Sequence, residues 1–298
     1  MKQNVTYSIG SIGIVDKINE KYDFINSIFG KGFGRAKNIE EIAKLLITNR
    51  LDKSASVCRL QELYPAEFFK ELGFKEIPKE RNVYRGIERI GMRFNALVEK
   101  YQSIIQKFGL VSDKQFADFS SSYFEGTKSS LGALGYSRDS QPGKKQFVWG
   151  ISTGINGVPS ALTVQKGNLV DKKHWKALFK CLVNILEKGA LLIFDCGANT
   201  KKNKEKIREK EFHYLTLKPK KKTPYNKCIK IFCDSKKEKI VANEVEYECV
   251  KREEEGEFQY IFFSEKLKRD QLRKKRKKFK RELKKNHPLI SKAKRGKE

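Results

Sequence analysis

Histidine and cysteine are too sparse in this chain to build most transition-metal sites. There are three histidines in 298 residues, and the six cysteines (Cys58, Cys181, Cys196, Cys228, Cys233 and Cys249) include no Cys-x-x-Cys pair. That argues against a zinc module or a dithiol redox centre and predicts free, buried thiols. No run of eighteen apolar residues occurs, which argues against a membrane-spanning helix. Met1-Lys2-Gln3-Asn4 does not begin an apolar leader, so the expectation is a soluble, cytoplasmic protein without a membrane partner. Gly30-Lys31-Gly32-Phe33-Gly34 lacks both a preceding strand and a Gly-Lys-Ser/Thr ending, so a flexible turn is expected there rather than a phosphate loop. Nothing else suggests a small-molecule substrate. Acids are the minority charge, 36 against 64 Lys and Arg, giving +28 and a pI near 9.8. Such an excess favours a polyanionic partner, and nucleic acid is the default.

Apolar residues, at 39%, are sufficient for a core. The stretch from Asp118 to Asp195 is the best organised. Phe116 to Gly126 alternates like a strand, Lys145 to Ser152 and Val158 to Val164 read as two more, and Asn156-Gly157 marks a hairpin between them. Trp175, Leu178, Phe179, Leu182, Val183 and Leu186 recur at helical spacing within Lys172 to Lys188, with Gly189 as the expected stop. Leu191 to Phe194 is a short apolar strand ending at Asp195, and a helix (Lys201 to Lys210) and a strand (Phe212 to Leu217) follow. The order β-β-β-α-β-α-β predicts an α/β fold, a mixed sheet with flanking helices.

The motifs in this stretch are Asp118-Phe119-Ser120-Ser121-Ser122-Tyr123-Phe124-Glu125-Gly126, Leu134-Gly135-Tyr136-Ser137-Arg138-Asp139-Ser140, Asn156-Gly157-Val158-Pro159, Lys166 to Asp171, and Leu191 to Thr200. As an ordered set they resemble the core of DDE insertion-sequence transposases. The resemblance implies a ribonuclease H-like catalytic core with Asp118 and Asp195 as the first two catalytic acids on neighbouring strands. It also implies a homo-oligomer working on DNA, both transposon ends and target, and a site for two Mg²⁺ or Mn²⁺ ions held by Asp118 and Asp195. Carboxylates without histidine or cysteine suit such hard cations, which can activate a nucleophilic oxygen and stabilise the leaving one at a phosphodiester. The family's third acid commonly lies in a Tyr-x-x-Arg-x-x-x-Glu pattern, which this sequence lacks. Glu265, Asp270 and Glu282 precede the place where it would fall, so a truncated, weakly active or inactive chain is expected. Taken singly, Asp118 is equally an edge-strand polar residue and Asp195 a helix cap. Glu125, Arg138 and Asp139 are indistinguishable from turn and surface residues.

Residues 1–110 read as an all-helical region with possible DNA-end binding. Asn38 and Glu41 resemble a capping box before Ile39 to Leu51, Ser54 can cap the next helix, and Ala66 to Leu72 is a short helix. One long helix is expected along Val83, Ile87, Ile90, Phe94, Leu97, Tyr101, Ile104 and Phe108. Leu51 to Ser54 could join a helix-turn-helix or two helices that merely pack. Residues 111–218 form the expected core and 219–263 a small β insertion, with strands at Lys227 to Phe232, Lys239 to Val250 and Glu257 to Phe263. The connection Lys218 to Pro224 is basic, and the acids Glu244, Glu246, Glu248, Glu253, Glu254, Glu255 and Glu257 read as a solvated face. Residues 264–298 hold a basic helix to Lys285, ended by His287-Pro288, and a frayed tail from Ser291. Its residues Lys266, Lys268, Arg269, Arg273, Lys274, Lys275, Arg276, Lys277 and Lys278 are the candidate phosphate contacts. Three functions compete: a DNA-cleaving and strand-joining transposase, a non-enzymatic DNA-binding remnant, and a basic RNA-binding protein. Sparse aromatic-basic interleaving and the paired acids weigh against the last.

Overall fold

The computed structural model describes residues 7–30, 33, 38–126, 128–136, 138, 141–218, 222–254 and 256–295, the side chains of 222–224 and 286–295 excepted. Residues 1–6, 31–32, 34–37, 127, 137, 139–140, 219–221, 255 and 296–298 therefore fall outside it, and with them the leader reading at Met1 to Asn4 and the whole of Asp139. Gly30 and Phe33 are described, whereas Lys31, Gly32 and Gly34 are not. The chain forms two compact units, residues Met1–Pro219 and Lys220–Glu298.

The first unit opens with helices α1 (Ile9–Tyr22), α2 (Phe24–Phe29), α3 (Ile39–Leu51), α4 (Leu60–Leu63), α5 (Ala66–Glu71), α6 (Glu80–Met92) and α7 (Phe94–Lys107), with a 3-10 turn at Val57–Arg59. Their apolar faces meet around Leu45, Leu60, Phe68 and Leu72, where Tyr64 stacks on Phe68 with ring centroids 3.9 Å apart. Three local expectations change. Asn38 is left-handed (φ 60) and its side chain caps nothing, so no capping box forms. Ser54 Oγ donates to the Arg50 carbonyl, closing the helix behind it instead of starting the next. The long helix is broken at Arg93 (φ -106, ψ 12) into α6 and α7. Hydrophobic spacing carries on across that break, so periodicity alone reads the two as one. The element after Leu51 to Ser54 is only the 3-10 turn and four-residue α4, shorter than a groove-reading helix requires.

The five-stranded sheet has the order β3-β2-β1-β4-β5. Strands β1 (Lys114–Tyr123), β2 (Gln146–Gly154) and β3 (Pro159–Lys166) are antiparallel, joined at Asn156-Gly157 where Gly157 has φ 81. Helix α8 (Asp171–Val183) crosses to β4 (Leu191–Phe194), which runs parallel to β1, and α9 (Lys201–Glu209) crosses to β5 (His213–Thr216), parallel to β4. This is a mixed α/β fold. Thr200 caps α9 by accepting the Asn203 N–H at 3.2 Å. Helix α8 stops five residues before the expected end. Its apolar residue Ile185 still packs in the core, but on a turn, and Gly189 (φ 84) feeds β4 with its N–H on the Glu211 carbonyl.

One face of the sheet carries the core. Ala117, Phe119, Leu192 and Phe194 pack under Trp175, Leu178 and Leu182 of α8, and Trp175 and Phe194 approach to 4.5 Å between ring centroids. The opposite side of β1 is left open. Phe116 and Asp118 are exposed and Ser120 and Ser122 half-buried, while Ala117, Phe119 and Ser121 between them are buried.

The second unit contains helix α10 (Lys222–Asp234), strands β6 (Glu238–Ala242), β7 (Val245–Glu254) and β8 (Glu257–Phe263) in one antiparallel sheet, and helix α11 (Glu265–Arg295). Lys227 to Phe232 is thus helical, not a strand. Ile229 and Ile231 alternate, but Cys228, Ile231 and Phe232 at helical spacing are the half-buried ones, and Phe232 lies 5.9 Å from Phe263. The expected single strand Lys239 to Val250 is a hairpin, turned at Asn243 and Glu244 with φ 49 and 60. A glutamate at the second left-handed position hides the turn from a search for Asn-Gly. Helix α11 passes through His287-Pro288 to Arg295 instead of ending there, although an interior proline forfeits one hydrogen bond and crowds the preceding turn. The thiols are free but mostly not buried: Cys58, Cys196 and Cys233 are exposed and only Cys249 is buried.

A candidate carboxylate site and a basic helix

Strand β4 pairs with β1 only from Lys114 with Leu191 to Ala117 with Phe194. The next residues are Asp118, still on β1, and Asp195, the first residue after β4. Because Ala117 and Phe194 both face the core, the next positions face away from it. Both aspartates are exposed. The spot lies beyond the carboxyl end of β4, where its four residues end while β1 continues for six more, the end of the strands at which open α/β sheets place their sites.

Backbone amides orient each carboxylate. Asp118 Oδ1 accepts the Phe119 N–H at 2.8 Å, and Asp195 Oδ1 accepts the Gly197 N–H at 2.9 Å. The Asp195 carbonyl takes the Thr216 hydroxyl at 3.0 Å, tying the turn to β5. In a chain with a large excess of cations, neither acid has an ion pair among the described residues.

A third carboxylate stands close by. Asp171 opens α8, and a methyl placed on Gly197 would lie 2.5 Å from Asp171 Oδ2 and 3.1 Å from Asp195 Oδ1. A side chain at position 197 would displace one or both of these carboxylates. Asp171 is neutralised by Arg138, whose Nη2 donates to Asp171 Oδ1 at 2.5 Å while Nη1 donates to the Phe119 carbonyl. Sequence reasoning dismissed Arg138 and gave Asp171 no role. Only the spacing Lys166-Gly167-Asn168-Leu169-Val170-Asp171 before a helix hinted at the latter. Glu125, the other acid near these motifs, pairs with Lys144 at 2.5 Å, which lowers its pKa.

Under this group His174 is buried against Phe119, 4.9 Å between ring centroids, with Nε2 2.9 Å from the Thr163 hydroxyl. Burial first, and the Arg138 charge second, pull its pKa down from 6.5 to about 4. It is a neutral core histidine below the site, not a ligand on its surface.

Among the described residues no set of three His, Cys, Asp or Glu side chains is placed to hold a metal ion. Asp118 and Asp195 nonetheless offer hard oxygen donors, each with Oδ2 left without a partner among the described residues, and so fit Mg²⁺ or Mn²⁺ in kind.

The basic candidates all lie on α11, whose described side chains from Gln271 to Lys285 are all exposed. Lys268 and Arg269 reach Glu265 at 3.3 and 3.7 Å, Arg273 reaches Asp270 at 3.3 Å and Lys278 reaches Glu282 at 3.7 Å. Lys266, Lys274, Lys275, Arg276 and Lys277 have no carboxylate partner among the described residues.

No protein-family model matches this sequence, and no curated protein matches it. Among solved structures the chain is similar to the piggyBac transposase in a synaptic complex with hairpin DNA, determined by cryo-EM. The TM-score is 0.41 at 10% identity, over 87% of this chain and 61% of that one. This chain therefore spans less than two thirds of that protein's length, and a likeness so loose carries no weight for fold or function. No helix among the described residues is long and apolar enough to cross a membrane.

Proposed function

We propose that this is a DNA-binding protein of the DDE transposase type, with a ribonuclease H-like sheet carrying a two-carboxylate site for a divalent cation. The observation that supports the reading is the register of β1 against β4, whose last pair, Ala117 with Phe194, immediately precedes Asp118 and Asp195. The net charge of +28 and the exposed α11 supply the attraction for DNA. A homo-oligomer on DNA and recognition of transposon ends and target belong to the same proposal.

When bound, Mg²⁺ or Mn²⁺ would neutralise charge at a scissile phosphodiester and lower the pKa of an attacking hydroxyl. Asp118 and Asp195 would hold it, each through the oxygen that its backbone amide leaves unbonded. The chain's other contributions are to hold both carboxylates pointing off the open sheet face and to draw the phosphate backbone in through α11. Among the described residues the site has two acids and no third ligand for the cation, and the reading expects weak strand transfer by this chain alone.

Mn²⁺ titration followed by electron paramagnetic resonance tests the site. The expected result is weak binding that Asp118→Asn or Asp195→Asn each reduces at least tenfold, together with DNA binding that neither substitution weakens. Supercoiled DNA incubated with the protein and Mn²⁺ should show at most slow nicking and no strand transfer. Mn²⁺ binding indifferent to both substitutions would overturn the site, and robust strand transfer abolished by Asp195→Ala would overturn the claim that the site is incomplete.

A further inference from the structure

Strand β1 loses its neighbour on the β4 side at Ala117, so the Phe119 carbonyl needs a donor from elsewhere. Arg138 supplies it, and with its other nitrogen holds Asp171. Asp171 Oδ2 lies over the Cα of Gly197, in the space a side chain there would take, and the Gly197 N–H holds Asp195 Oδ1. The chain of contacts therefore runs from the residue after Asp118 through one guanidinium to the turn that orients Asp195. Arg138 and Asp171 are 30% and 20% exposed, half-sheltered in a protein whose other ion pairs are mostly at the open surface. A guanidinium can span two acceptors in one plane, which an ammonium cannot do with the same geometry.

We propose that Arg138 is a positioning residue of the carboxylate pair, bridging the Phe119 carbonyl and Asp171 so that the Asp118 strand and the Asp195-Gly197 turn keep a fixed separation. Its relevance to metal binding rests on the function proposed above, but the positioning itself does not. Arg138 touches neither acid directly; it acts on Asp118 through the backbone of the next residue and on Asp195 through Asp171 and Gly197.

Two amides report the two carboxylates, because the Phe119 N–H is bonded to Asp118 and the Gly197 N–H to Asp195. Amide hydrogen exchange of the whole chain, read by NMR, should show both exchanging at least tenfold faster in Arg138→Ala. The amides of Val148 and Ala161, on strands away from the bridge, should be unchanged, which separates a local effect from general unfolding. Arg138→Lys keeps the charge and can satisfy Asp171 but not both acceptors, so it should restore Gly197 more than Phe119. Asp171→Asn should release Gly197 and spare Phe119. Mn²⁺ affinity measured on the same variants should fall with the exchange rates.

Unchanged exchange at Phe119 and Gly197 in Arg138→Ala would overturn the bridge, as would full rescue of both amides by lysine. Should the wild-type protein bind no Mn²⁺ while the exchange pattern is as expected, the metal reading falls and the positioning role stands. Should Mn²⁺ bind with equal affinity to wild type and Arg138→Ala, and both amides exchange as in wild type, the positioning role falls and the metal reading stands.

Discussion

Raising monovalent salt from 50 to 200 mM should weaken the binding of duplex DNA about a thousandfold, because a slope near −5 follows from neutralising roughly six phosphates. The phosphates are expected along α11, where lysines and arginines point all round an exposed helix instead of presenting a few side chains to one groove. Binding should accordingly be broad in sequence. Arg273, Lys274, Lys275, Arg276, Lys277 and Lys278 are the densest run, and only Arg273 and Lys278 of these have carboxylates near them. Replacing all six by glutamine should flatten the slope by several units, measured by fluorescence titration at four or more salt concentrations. An unchanged slope would make α11 a solvated surface and move DNA contact to the N-terminal helices.

Acid should destabilise the first unit through His174, which is held neutral in the fold. Its pKa is near 4 when folded against an ordinary 6.5. Between those values the unfolded chain takes up a proton that the folded one refuses, so stability falls as pH falls through that window. Above pH 6.5 the effect vanishes, and below about pH 4 it levels off at a loss of roughly 3 kcal/mol, a large part of the 5–15 kcal/mol that holds a typical domain. His174→Gln keeps a side chain able to bond the Thr163 hydroxyl and cannot titrate. Urea midpoints taken from pH 7.5 to 4 should therefore converge or cross, with the wild type losing more of its margin. Equal losses in both proteins would show that His174 protonates as readily folded as unfolded. Since His174 packs on Phe119, the residue that follows Asp118, the same acid transition should disturb the carboxylate site before the N-terminal helices.

Much of the central sheet was readable because its signals are local. Asn156-Gly157 fixes a hairpin, Leu191 to Phe194 is too apolar and short for anything but a buried strand, and Trp175, Leu178 and Leu182 repeat at one helical interval. The juxtaposition of Asp118 and Asp195 was reached by resemblance, and the β1–β4 register gives it a geometric basis. Errors gathered where local patterns are ambiguous. Apolar spacing carries through Arg93 although the helix does not, and Cys228 to Phe232 supports two periods at once. The Arg138 bridge was invisible for a different reason. Its acceptors, the Phe119 carbonyl and Asp171, lie 19 and 33 positions away and are brought together only by the point at which β4 ends.

That early end of β4 also bears on the order in which the protein acquires its parts. The β1-β2-β3 half joins residues that are close in sequence, whereas pairing β1 with β4 closes a loop through two hairpins and a helix. Each doubling of loop length adds only about 0.6 kcal/mol to closure, yet the contacts that repay it come late in assembly. Four register pairs are all that β4 contributes to β1. We therefore expect the carboxylate pair to be the last feature of the sheet to form, and pulsed hydrogen exchange during refolding should protect Val148 before Leu192. Simultaneous protection would mean that the sheet assembles as one piece. With late assembly, an unfinished chain would already hold half a sheet and Asp118, while the turn that carries Asp195 still had no strand to stand beside.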